Sequence, residues 1–130
     1  LLTAASVTCL VSNLLLLNQF PDVDADRQVG RRHYPIVLGR ARSAVIFALL
    51  LLLSYLLLLG GVASRLLPLH CLLALLSLPL AFKLLPGVLQ FANKPQQLGP
   101  YLALNVALIH LFIVLLAAGL YWADNANGVN

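Results

Sequence analysis

Four stretches of this chain are long and apolar enough to approach or reach the thickness of a bilayer, and this narrows the possible folds more than any other feature. Residues 1–17, 43–63, 66–85 and 101–122 are dominated by Leu, Val, Ala and Ile. A spanning helix needs about 20 such residues. Hydrocarbon holds no water to satisfy a bare N–H or C=O, so each span must close its own hydrogen bonds as a helix. The chain is therefore expected to be an all-α, multi-pass transmembrane helical bundle, one domain over residues 1–130 with four helices. Composition agrees, since 9% of the residues are charged against about 25% in soluble domains, and mean hydropathy is +0.97. Ser54 is the only strongly polar residue inside the second segment, and Pro68 and Pro79 interrupt the third. No heptad pattern or internal repeat stands out. The sequence starts at Leu inside an apolar run and contains no Met, so it reads as part of a longer protein, with its first span cut short.

The connections carry the charge. Residues 19–42 form a long polar link with Arg27, Arg31, Arg32, Arg40 and Arg42, and the Pro-, Gln- and Gly-rich link 86–100 carries Lys94, with Lys83 just before it. The short link near Gly60–Arg65 has one Arg, and the tail after Trp122 has Asp124 and no cation. Seven of the eight cations thus fall on one side. The positive-inside rule places links one and three in the cytoplasm and the C-terminus on the opposite side, as in a bacterial inner-membrane protein. Lys83 and Arg65 lie near helix ends and are expected to snorkel. Tyr101, Tyr121 and Trp122 bracket the last segment as interfacial aromatics do. The net charge of +4 is not a nucleic-acid footprint, because no soluble face interleaves aromatics with basic residues. Cys9 and Cys71 sit inside apolar segments and read as small buried hydrophobes. The first run has no basic n-region and no obvious cleavage site, so it is expected to be a span rather than a secretory signal peptide.

A 24-residue link is too long to be a simple connection, and Tyr34, Ile36, Val37 and Leu38 break up its charge. The first helix is expected to continue to about Val29 through a kink at Pro21. A turn then falls at Gly30, followed by a short apolar element from Tyr34 to Leu38.

Within this link Asn18, Asp22 and Asp26 are spaced four apart. That interval puts them on one helix face, with Asp24 pointing nearly the opposite way. Two carboxylates one turn apart repel each other, and a divalent cation is the simplest remedy. Mg²⁺ takes oxygen ligands and commonly binds through one or two carboxylates plus substrate phosphates. Arginines beside such a pair suit the remaining phosphate charge. The plainer alternative is a solvated helix end where Asp and Arg neutralise one another. An EF-hand is excluded because the glycine and terminal Glu of that loop are missing.

The run "NQFPDVDADRQVGRRHYPIVLG" resembles the second Asp-rich motif of the UbiA superfamily of intramembrane aromatic prenyltransferases. The family pattern is close to D-x-x-x-D-R-x-x-G-[KR]-x-T-[LY]-[PA]-[VI]-x-L-G. Asp22, Asp26, Arg27, Gly30, Arg31, Pro35, Ile36, Leu38 and Gly39 fall on it. His33 stands where the family usually has Thr, a departure expected to touch no metal ligand. Asn18 looks most like the 1,4-dihydroxy-2-naphthoate prenyltransferase branch. The resemblance implies that these four helices are the C-terminal part of a nine-helix fold. It also implies a Mg²⁺-dependent transfer from an isoprenyl diphosphate to an aromatic quinone precursor. Asp22 and Asp26 would be catalytic Mg²⁺ ligands, and Asn18, Arg27, Arg31 and Arg32 would bind the diphosphate. The partners implied are that diphosphate, the aromatic acceptor and the lipid bilayer.

A first Asp-rich motif is not found, since the only other acid is Asp124, so this stretch describes half of a metal site. Two other classes compete. A non-catalytic membrane scaffold or assembly subunit can retain the motif, and a cation transporter can use carboxylates, though it would place them near the bilayer midplane. His70, His110, Asn105 and Ser54 lie in apolar segments and are read as polar residues hydrogen-bonded to neighbouring helices. Lys94 is read as meeting anionic lipid.

Overall fold

The computed structural model describes residues 1–127, which contain helices and turns and no strand. Helix α1 runs Leu2–Gln28, α2 Tyr34–Val37, α3 Arg40–Ala63, α4 Leu78–Phe91 and α5 Gly99–Asn127, with 3₁₀ turns over Leu69–Ser77 and Pro95–Gln97. The first 3₁₀ segment leads directly into α4, giving four elements long and apolar enough to cross a membrane. The protein is an integral membrane protein built as an all-α bundle. Side chains such as Val45, Leu49, Leu52, Leu56 and Leu59 lie exposed along one stripe of α3, which water would not tolerate and lipid does.

Several elements extend past their apolar segments. The third span covers Leu69–Phe91, where hydropathy alone drew 66–85, and α5 continues beyond Trp122 to Asn127. Hydropathy marks where lipid ends, whereas the backbone keeps coiling into the polar zone until a cap or a proline stops it. Pro68 does this at the start of the third span, in extended conformation with ψ 149°.

Nine residues are a long run for a 3₁₀ helix, and Pro79 accounts for its lower end. In an α-helix the Leu75 carbonyl would need the N–H of residue 79, which proline lacks. In the tighter pattern the Leu78 N–H reaches that carbonyl instead. An orphan carbonyl at membrane depth costs several kcal/mol, on the order given for unsatisfied groups in hydrocarbon, so the tighter coil is the better solution.

Helices α1 and α3 are antiparallel, and three side-chain bonds to backbone carbonyls join them. Ser6 Oγ donates to the Ser54 carbonyl at 2.7 Å. Asn13 Nδ2 donates to the Phe47 carbonyl at 3.0 Å. Arg40 Nε donates to the Phe20 carbonyl at 3.1 Å. Successive rungs are seven residues apart on both helices, which is close to two helical turns and keeps one face of each helix on its partner. This is a heptad of polar rungs that the apolar pattern concealed. Phe20 and Phe47, both fully buried, fill the space beside the rungs.

The second hairpin, Leu69–Phe91 against α5, packs by close approach. A Cβ on Gly119 would collide with the His70 carbonyl oxygen, and one on Gly87 with the Tyr101 ring. The two hairpins meet where the Tyr55 ring stands edge-on to Phe112, centroids 5.4 Å apart, and where Tyr55 Oη and Ser77 Oγ share a hydrogen bond of 2.7 Å.

Of the span residues expected to bond to neighbouring helices, Ser54, His110 and Asn105 make no such side-chain bond among the described residues. Ser54 Oγ donates to Leu51 of its own helix. His110 is exposed, and its Nδ1 lies 2.8 Å from the Val106 carbonyl one turn back. Asn105 is buried, and both of its amide atoms lack a partner among the described residues. Short polar side chains reach their own helix's carbonyls more readily than a neighbour's.

Candidate functional site

The last two turns of α1 carry Asp22, Asp24 and Asp26. This is an unfavourable place for carboxylates, because the helix C-terminus carries the negative end of the backbone dipole. Two of the three are answered from within the chain. Asp24 Oδ2 accepts from Arg40 Nη2 at 3.0 Å, so Asp24 is ion-paired rather than simply solvated. Arg40 at the same time holds the Phe20 carbonyl, which ties the pair to the α1–α3 register.

Asp26 is answered twice. Arg31 Nη1 donates to Oδ1 at 3.0 Å, and His33 Nε2 lies 3.1 Å from Oδ2. A carboxylate only accepts, so the His33 nitrogen facing it carries the proton. The arrangement follows from the local sequence. Gly30, with φ 76°, sits just past the helix end, where a left-handed residue is needed. The Gly30 N–H bonds to the Arg27 carbonyl and the Arg31 N–H to the Asp26 carbonyl, the paired bonds of a Schellman cap. The reversal turns the next residues back along α1, so Arg31 and His33 fall on the carboxylate one turn before the cap. His33 falls on no ligand position of the motif, and in the structure its ring touches Asp26. The signal was available as a residue shortly after a glycine helix stop, but its direction depends on the turn.

Asp22 is exposed, as is Asn18 above it, and neither forms a hydrogen bond or ion pair among the described residues. The shared face read from spacing is present on α1, but its two acids differ. Asp22 is open and Asp26 is held, with its side chain only 16% exposed. Arg27 is exposed and makes no ion pair among the described residues.

Arg32 lines an open groove of about 440 Å³ together with Gln19, His33, Tyr34, Val37 and Leu38. A second hollow of about 460 Å³ adjoins it through Gln19 and Tyr34 and runs between α1 and α3 past Leu15, Ile46 and Leu50. Volumes of this size lie in the range of small-molecule pockets. The polar end of α1 is thus next to an apolar trench. Gln19, Tyr34 and Arg40 were not singled out as site residues by sequence, because their roles arise only once α2 and α3 pack against α1.

The donor set suits a hard cation. Two carboxylates and a carboxamide offer oxygen, the ligand Mg²⁺ prefers, and one or two carboxylates suffice when phosphates and waters complete the shell. No cluster of three or more His, Cys, Asp or Glu able to hold a metal occurs among the described residues, so any such ion would need further ligands.

A family model described as the UbiA prenyltransferase family matches residues 1–109, from α1 into α5. No curated protein and no solved structure matches the chain.

Proposed function

The chain belongs to the UbiA prenyltransferase family, and from this we propose that it carries the second of two Asp-rich motifs of a Mg²⁺-dependent intramembrane prenyltransferase. Its substrates would be an isoprenyl diphosphate and an aromatic quinone precursor, with Asn18 favouring a dihydroxynaphthoate-type acceptor. The observation that carries this reading is the open Asp22 carboxylate one turn from Asp26, at the polar end of a span where Arg31 already reaches Asp26.

In this reading Asp22 and Asp26 hold the ion, with Asn18 adding a carboxamide oxygen to it or a hydrogen bond to the diphosphate. When bound, Mg²⁺ supplies Lewis-acid stabilisation of charge on the departing diphosphate. Arg27, Arg31 and Arg32 bind the remaining phosphate oxygens, with bidentate geometry open to each guanidinium. The bond between the allylic carbon and the diphosphate oxygen breaks, the aromatic carbon bonds to the allylic carbon, and the ring loses a proton. The trench between α1 and α3 receives apolar parts of the substrates and keeps water from the carbocation. The positive-inside rule places this end in the cytoplasm, as for a bacterial inner-membrane enzyme.

Transfer assays on the full-length protein with Mg²⁺, comparing wild type with Asp22→Asn and Asp26→Asn, test this directly. Each variant is expected to lose at least about 100-fold in turnover, the scale for removing one electrostatic contact to a developing charge. Unchanged turnover in both would overturn the assignment of Asp22 and Asp26 as metal ligands, and no Mg²⁺-dependent transfer by the wild type would favour the non-catalytic scaffold.

A further inference from the structure

Asp26 is already occupied, and its two occupants differ in kind. Arg31 reaches Oδ1 from a side chain that is 71% exposed, whereas the His33 side chain on Oδ2 is 13% exposed. Arg31 is therefore free to swing toward any stronger anion that arrives in solution. His33 is fixed between the Schellman turn of α1 and the start of α2, where it is the N-cap residue. Its second ring nitrogen, Nδ1, is buried without a partner among the described residues, so the ring's hydrogen bond among them is the one to Asp26.

We propose that Arg31 and His33 act as an interlock on Asp26, with Arg31 shutting Oδ1 until a diphosphate draws it away and His33 holding the carboxylate in its ligating orientation throughout. This rests on the assignment of Asp22 and Asp26 as the metal ligands. Arg31 is the moving part. With no phosphate present, its guanidinium competes with a cation for Oδ1. With diphosphate present, it moves to the phosphate oxygens, which accept its planar fork better than a single carboxylate oxygen does. Oδ1 then opens. His33 is a positioning residue and touches neither substrate nor the reacting atoms. Metal site and diphosphate site are thereby coupled, so the site assembles when both ligands are present. Asp22, which has no partner among the described residues, provides the weak resting affinity for a cation.

The two residues touch one carboxylate, yet their loss should act in opposite directions. An exposed ion pair is weak, so Arg31→Ala is expected to tighten binding of Mn²⁺ alone by about twofold to fivefold. His33→Ala is expected to weaken it by about tenfold or more, the scale for losing a hydrogen bond that orients a ligand. His33→Asn, which keeps a donor, should recover most of that loss. Mn²⁺ binding to the full-length protein in nanodiscs, read by electron paramagnetic resonance, measures all three, first without and then with inorganic pyrophosphate. Pyrophosphate should raise Mn²⁺ affinity less in Arg31→Ala than in wild type. Weaker or unchanged binding of Mn²⁺ alone in Arg31→Ala overturns the interlock, as does unchanged binding in His33→Ala. If His33→Ala is unfolded by its melting curve, His33→Asn and Arg31→Ala decide the matter. Asp22→Asn and Asp26→Asn are measured in parallel. If both bind Mn²⁺ as wild type does, the metal assignment itself fails. If both lose Mn²⁺ while Arg31→Ala and His33→Ala do not differ from wild type, only the interlock fails.

Discussion

The two hairpins of this bundle are held by different means. Between α1 and α3, three side chains reach across to backbone carbonyls at a seven-residue interval. Between Leu69–Phe91 and α5 no side-chain hydrogen bond crosses among the described residues; the helices instead approach until glycine is the only residue that fits at Gly119 and Gly87. Lipid tails are as apolar as Leu, so burying Leu against Leu gives little drive for helices to associate in a membrane. Hydrogen bonds and tight van der Waals contact remain, and each hairpin relies on one of them. The choice matters for the site. Hydrogen-bonded rungs fix longitudinal register, and the last rung is Arg40, which also holds Asp24. The hairpin with defined register is the one that carries the aspartates.

This contrast can be broken at its strongest point first. Gly119→Leu drives a side chain into the His70 backbone, which cannot rotate away. The loss should reach or exceed the upper end of the roughly 1–3 kcal/mol seen for overpacking, read as reversible unfolding in mixed micelles by circular dichroism. A variant as stable as wild type would show that the second hairpin does not depend on close approach. Asn13→Ala removes the central rung of the first hairpin. Its cost is expected between about 0.6 and 1.7 kcal/mol, the average and upper values for hydrogen bonds between membrane helices, in the same measurement. A loss as large as that of Gly119→Leu would mean that the rungs carry stability as well as register. Asn105→Ala is the smallest effect. Its buried amide has no partner among the described residues, so the relief of desolvation offsets the small cavity, and stability should change by less than about 0.5 kcal/mol. A cost similar to that of Asn13→Ala would point to a bond from Asn105 that forms only in the membrane.

Much of this was legible in the chain. Four apolar stretches required an all-α membrane bundle, because backbone in lipid has no other way to satisfy itself. The helical interval of four set Asn18, Asp22 and Asp26 on one face, and Gly30 marked where α1 stops. These are local properties that depend on the backbone's own geometry. The 3₁₀ run before Pro79 was not legible, since hydropathy does not distinguish two coils with the same side chains. Neither were the polar rungs, because Ser6 and Asn13 meet their carbonyl partners only once α3 lies beside α1.

The sequence alone determined the solvent, the number of spans and the two carboxylates one turn apart, because hydrophobicity and helical periodicity act within a single segment. Only the tertiary structure decided what each carboxylate faces. Arg31 and His33 follow Asp26 by five and seven residues, distances at which a continuous helix would carry them away from it. The Schellman turn at Gly30 folds them back, and α3 brings Arg40 to Asp24 from 16 residues away. The spacing presented three like charges with two of them paired as ligands. The fold leaves Asp22 open, latches Asp26 and neutralises Asp24, because charge compensation depends on distance in space rather than along the chain.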